Sequence, residues 1–172
     1  HLTQRASPFS FAGPKRSTPP GLSIEDLPII DLIVISHNHY DHLDKLTIKT
    51  LYERQPNHPP KIFVPLKLKQ WFLDLGIKNV TELDWKDSVK FGEWQIHAVP
   101  VQHWSSRTPF DRNKTLWAGW VLETEGFRFF FAGDTGYSKD FKNLRDQFGK
   151  IDLAAIPIGA YEPRWFMKSA HV

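Results

Sequence analysis

The chain has 172 residues, of which 41% are apolar, 24% charged and 14% aromatic. That balance fits one globular domain and excludes a chain that is disordered throughout. No apolar run approaches the ~18 residues a transmembrane helix needs, and the lack of cysteine excludes disulfides and thiolate metal sites. The formal net charge is +3, but the basic residues are scattered rather than striped, which argues against a nucleic-acid partner.

Taken in chain order, residues 1–28 hold the breakers Ser7-Pro8, Gly13-Pro14 and Pro19-Pro20-Gly21 and read as a loop, with Phe9 and Phe11 as its anchors to a core. The apolar, β-branched run 29–36 (IIDLIVIS) reads as a buried strand. Residues 43–54 read as a helix with Leu43, Leu46, Thr50 and Leu51 on one side. A short strand follows at 61–65. Leu68, Trp71, Phe72 and Leu75 then recur at helical spacing, and Gly76 supplies a stop. Segments 88–91 and 94–101 predict a hairpin around Gly92-Glu93, and 117–124 and 127–132 a second around Glu125-Gly126. Phe141, Leu144 and Phe148 share a helical face that Gly149 closes, and 151–158 (IDLAAIPI) reads as another buried strand. Hairpins mixed with helices predict an α/β (α+β) chain with a mixed sheet packed on helices.

The chemistry concentrates in residues 36–42, SHNHYDH, directly after the first apolar strand. Residues at i and i+2 of an extended segment point to one side, so His37 and His39 can grip one cation. Asp41 and His42 arrive as the chain turns into the next helix and can grip a second. Imidazole and carboxylate suit Zn²⁺, and also Mn²⁺ or Fe²⁺.

The H-x-H-x-D-H run resembles the metallo-β-lactamase superfamily, whose fold is an αββα sandwich with a dinuclear metal site. Gln102-His103-Trp104 is similar to the superfamily's next ligand histidine, and residues 131–136 (FAGDTG) to its G-D-T segment, where an aspartate bridges both metals. The phrases FAGPKR (11–16), SHNHYDHLD (36–44) and IGAYEPRWFMKSAHV (158–172) resemble the branch that contains N-acyl-phosphatidylethanolamine-hydrolysing phospholipase D and its RomA-like bacterial relatives. Carried over by position, the resemblance makes His37, His39 and His103 ligands of one zinc, Asp41 and His42 ligands of a second, and Asp134 the bridge. Asp41, His42 and Asp134 would also serve catalysis. Two such cations acidify a shared water and stabilise charge on phosphoryl oxygens. The implied reaction is hydrolysis of a phosphodiester in an N-acyl-phosphatidylethanolamine-like phospholipid. A sugar-phosphate lactonase of the same fold and a non-catalytic metal-binding fragment are the rival readings.

The resemblance also implies that residues 1–172 span the central part of one hydrolase domain, without its opening strands and its last histidine ligand. His171 is then either a replacement ligand or a residue on the substrate side. Val34, Ile35, Ile156 and Ile158 are expected to lack partners on one side, and open edges to favour a homo-oligomer. A lipid substrate favours a cytoplasmic or peripheral-membrane setting. Trp104, Phe110, Trp117, Trp120, Tyr161, Trp165, Phe166 and Met167 read either as an acyl-chain groove or as core. Arg107, Arg112 and Lys114 read either as phosphate contacts or as solvated loop charges, Lys15 and Arg16 as solvated, His58 as an exposed loop residue and His97 as structural.

Overall fold

Two sheets form the centre of the structure, a computed structural model describing residues 1–172. Strands β1 (Leu32–Val34), β2 (Lys61–Pro65) and β3 (Val80–Leu83) make a parallel sheet in that order. The second sheet runs β4 (Ser88–Phe91), β5 (Trp94–Val99), β6 (Gly119–Thr124), β7 (Phe127–Phe131) and β8 (Leu153–Ala155), antiparallel except for the parallel β7–β8 pair. Helices α1 (Lys45–Glu53), α2 (Lys69–Leu73), α3 (Asp140–Phe148) and α4 (Arg164–Met167) complete the chain. No helix is long and apolar enough to cross a membrane.

Strand periodicity sorts the core into three layers of contact. In β2, Ile62 and Val64 pack with Ile48 of α1 and with Leu68 and Phe72. Phe63, between them, faces the other sheet and joins Ile96, Ala98 and Trp120. In the second sheet Trp120 faces inward, while its neighbour Val121 and Phe130 of β7 pack with Phe148 of α3. The order is therefore helices, sheet, sheet, helix: the expected αββα sandwich.

Several expectations change on contact with tertiary structure. The strand expected over 29–36 shrinks to Leu32–Val34, because the Gln55 side chain takes both the N–H and the carbonyl of Ile30 and holds it out of the sheet. In α1, Asp44 caps the helix by accepting from the Thr47 N–H, and this phase buries Thr47, Ile48 and Leu51 while leaving Leu46 exposed. The segment 151–158 is not a buried strand. Only Leu153–Ala155 is strand, and those residues are exposed because β8 lies at the sheet edge and pairs with β7 alone. Val34 and Ile35 do find partners, Ile35 in the helix-facing core and Val34 against the inter-sheet core, and Ile156 packs towards α3. Ile158 remains exposed. Phe9 and Phe11 do not anchor the opening loop. They meet at a tilt, exposed to solvent, while Arg5 closes the loop on the Ser10 and Gly13 carbonyls. Strand β3 and helix α4 have no clear signal in the sequence, since four residues each are too few to show a period.

Candidate metal centre

The sandwich places its candidate site at the rim where β1, β5 and β7 end. Beyond β1 the chain is pinned before it turns: Ile35 O accepts from the indole of Trp120 in β6 at 2.9 Å, and Ser36 O from the N–H of Ala118, just before β6, at 2.8 Å. Leu43 N donates to His39 O at 2.8 Å, closing the turn that carries His39, Asp41 and His42. The segments after β5 and β7 are tied by the Gly136 N–H, which donates to Gln102 O at 2.8 Å, and by the Thr135 hydroxyl, which accepts from the Gln102 N–H at 3.0 Å. These ties bring His103 and Asp134 to the first histidines.

The ligand-type atoms fall into two groups that share His37: His37, His39 and His103, and His37, His42 and Asp134, with all atoms of each group within 4.8 Å of one another. His39 Nδ1 lies 3.3 Å from His103 Nε2. His42 Nε2 lies 3.0 Å from Asp134 Oδ2 and 3.4 Å from Asp41 Oδ2. Asp134 Oδ2 also sits 3.8 Å from His103 Nε2 and 4.0 Å from His171 Nε2, so it faces both groups. Five of the six motif residues therefore form two groups joined at His37, Asp41 lies beside them through His42, and His171 stands on the Asp134 side.

Outer contacts orient the rings. His103 Nδ1 lies 3.2 Å from the Ala170 carbonyl, which assigns the proton to Nδ1 and leaves Nε2 with its lone pair turned to the cluster. The Ser36 hydroxyl reaches His37 Nδ1 at 3.0 Å and His42 Nδ1 at 3.4 Å. His37 Nε2 and His39 Nε2 are buried without a hydrogen-bond partner. With Ser36 on its Nδ1, the buried His37 ring keeps an unpaired Nε2, which is costly unless something with positive character lies beside it, so the donor set fits a divalent cation. Gly133 makes the Ser36 contact available: its φ is +62°, and a Cβ there would fall 2.4 Å from Ser36 Cβ. Gly136 similarly lets the backbone at Ser169 approach, since its Cβ would meet Ser169 C at 2.7 Å.

The two groups differ in protonation. Burial first, and then the neighbouring histidines, hold His37 well below the usual imidazole range, and burial also lowers His39. Burial, only partly offset by Asp134, brings His103 to about 4. Burial acts against a charge on His42 as well, but its bonds to Asp134 and Asp41 raise it to about 9. Burial would raise Asp41, yet the bond to His42 holds it at about 2, and the same partner keeps Asp134 low. Three neutral imidazoles thus stand beside an ion pair whose proton a cation would displace.

Beside the cluster lies an open cleft of about 560 Å³ lined by His39, Tyr40, Asp41, Trp104 and Arg107, with Ala6 and Pro14 of the opening loop on its far wall. Of the aromatics weighed as groove or core, Trp104 lines the cleft and packs on His39 at 4.3 Å, whereas Trp120 is fully buried core and Phe110, Trp165 and Phe166 are exposed. Arg112 stacks on Trp104 at 4.5 Å. Arg107 is neither solvated nor free for phosphate at its Nη1, which bonds two carbonyls of the ligand turn. His97 pairs with Glu123 and packs on Phe148, and exposed His58 bonds Asp31. Ser36, Ala170 and Arg107 are the site residues whose roles the sequence did not disclose. Ser36 lay inside the quoted motif, but a backbone carbonyl and a loop arginine carry no local signal.

A fold of two sheets between helices, with a His/Asp cluster at the strand ends, defines a class. The chain matches the family described as Beta-lactamase superfamily domain over residues 6–172 and belongs to that family. It is 49% identical over 178 residues to N-acyl-phosphatidylethanolamine-hydrolyzing phospholipase D 1 of Caenorhabditis elegans, covering 98% of this chain and 49% of that protein. It is 38% identical to the mitochondrial N-acyl-phosphatidylethanolamine-hydrolyzing phospholipase D of Saccharomyces cerevisiae, covering 93% of this chain and 35% of the relative. Among solved structures, a putative metal-dependent hydrolase from Parabacteroides distasonis superposes with a TM-score of 0.57 at 26% identity, over 78% of this chain and 56% of that one. The chain spans about half the length or less of these two curated relatives.

Proposed function

We propose that this chain carries the centre of a metal-dependent phosphodiester hydrolase of phospholipase D type, acting on N-acyl-phosphatidylethanolamine-like lipids. The observation that carries the reading is the convergence of His37, His39, Asp41, His42, His103 and Asp134 at the mouth of a cleft. The activity for which these relatives are named supports the substrate class. His37, His39 and His103 would hold one cation, His42 and Asp41 a second, with Asp134 between them, and zinc suits the donors. Bound cations of this kind supply Lewis acidity to a water and to phosphoryl oxygens.

The chain's own residues supply orientation. Ser36 Oγ fixes the rings of His37 and His42, and the Ala170 carbonyl holds the proton on His103 Nδ1. Asp134 keeps a proton on His42 Nε2 until a cation takes its place. Trp104 and Tyr40 give the cleft a wall suited to an acyl chain, and His171 stands beside Asp134 at 4.0 Å. Phe9, Phe11 and Phe110 are exposed, and the loops that bear them contribute Ala6, Pro14 and Pro109 to the cleft. Peripheral contact with a lipid surface follows from that arrangement, and self-association through the exposed β8 edge from the open pairing there.

The test is incubation of the purified, zinc-loaded protein with N-acyl-phosphatidylethanolamine in mixed micelles. Phosphatidic acid and N-acylethanolamine should appear together and disappear with a chelator. Metal binding without either product, or turnover of a lactone instead, would replace this reading.

A further inference from the structure

We infer that Arg107 is a positioning residue that braces the ligand-bearing turn 38–43 at both ends; this rests on the reading that the cluster holds a divalent cation. The turn leaves the sheet after β1, so its carbonyls find no ladder partners. Ile35 O, Ser36 O and His39 O are satisfied by Trp120, Ala118 and the turn itself. Asn38 O and Leu43 O, which bracket His39, Asp41 and His42, are both taken by Arg107 Nη1, at 2.8 Å and 2.6 Å. One nitrogen with two hydrogens thus ties the start of the turn to its end.

The brace is itself held. The Arg107 guanidinium lies 4.0 Å over the Tyr40 ring, inside the turn, and 5.3 Å from the Trp71 ring of α2. Its backbone N–H donates to both Asp111 carboxylate oxygens, at 3.0 Å and 3.2 Å, and Asp111 Oδ1 also accepts from Ser106 Oγ and the Thr108 N–H. The anchor at Ser105, fully buried, bonds Thr115 O at 2.6 Å. Sequence therefore links the brace directly to His103, four residues earlier, so one segment sets a third ligand and the turn that carries three more.

Charge argues for geometry over attraction. A guanidinium beside a cation site repels the cation, so its place there is not explained by electrostatic recruitment of metal. Both Nη1 hydrogens are spent on carbonyls, so this nitrogen offers no donor to a phosphate. Arg54 makes the same kind of clamp away from the site, from Nη1 to Ile24 O and from Nη2 to Leu27 O. It serves as the internal control.

The experiment measures zinc affinity by competition with a chromophoric chelator, and the visible spectrum of the cobalt-substituted protein, for wild type, Arg107→Met, Arg107→Lys and Arg54→Met. Arg107→Met should lose ~10–100-fold in zinc affinity, the scale typical of removing an outer partner of metal ligands, and shift the cobalt bands. Arg107→Lys should recover part of the affinity, because an ammonium reaches the carbonyls but cannot stack as a plane on Tyr40. Arg54→Met should lower the melting temperature and leave zinc affinity and cobalt bands unchanged. Wild-type affinity and spectrum in Arg107→Met, or an equal loss in Arg54→Met, overturn the positioning role. A wild-type chain that binds neither zinc nor cobalt overturns the metal-site reading, and the inference with it.

Discussion

The two ligand groups share His37 yet are built on opposite principles. The group of His37, His39 and His103 is made by burial: desolvation keeps the rings neutral, and two ring nitrogens have no partner. The group of His37, His42 and Asp134 is made by charge: a carboxylate 3.0 Å from His42, with half-exposed Asp41 beside it, stabilises a proton there. A cation entering the first group meets lone pairs and no competitor, whereas one entering the second must displace a proton. The lesson is that a single run of residues at one strand end can feed two differently prepared sites, because His39 and the later pair Asp41 and His42 enter different surroundings.

The largest expected effect comes from Asp134, the one carboxylate that faces both groups. Asp134→Ala should empty both, while Asp41→Ala, removing a carboxylate that touches only His42, should cost one metal at most. Elemental analysis of the two variants decides it, and equal metal content would erase the distinction between the groups. Next is Gly133→Ala, which places a side chain at positive φ and drives a methyl into Ser36. It should cost about 1–3 kcal/mol of stability, read as a lower denaturant midpoint, and should disturb both groups through His37 and His42. Ser36→Ala is the milder version of the same perturbation. It removes one hydroxyl from both rings and should weaken metal binding about tenfold in a calorimetric titration, with a stability loss near 1 kcal/mol in a denaturant melt.

The smallest effect lies outside the cluster and isolates burial from metal chemistry. His97 sits between Glu123, its partner at 3.6 Å, and the Phe148 ring, with Arg128 bonded to the same glutamate. Burial lowers its pKa despite Glu123. The unfolded chain therefore takes up that proton first, so this stability is present above about pH 6.5 and lost as pH falls towards the lowered folded-state value. In chelator-treated protein the slope is shared with His37, His39 and His103. His97→Gln should flatten it slightly between about pH 5 and 7, and an unchanged slope would show that Glu123 cancels burial.

The ligand motif was legible because its residues are adjacent: SHNHYDH needs no fold to be noticed, and FAGDTG and QHW stand at predictable strand ends. The hairpins were legible for the same local reason, since two-residue loops join Phe91 to Trp94 and Thr124 to Phe127. What stayed hidden depends on partners distant in sequence. Gln55 holds Ile30 out of the sheet across 25 residues, Arg107 braces the turn at Asn38 across 69, and the Ala170 carbonyl sets the His103 tautomer across 67. Trp104 and Trp120 are the same residue type near the same strands, yet one lines a cleft and the other fills the core. Local periodicity and motif spacing decided which residues carry the chemistry. Only long-range packing decided their surroundings, because desolvation, proton placement and the satisfaction of backbone carbonyls arise from groups that the fold brings together.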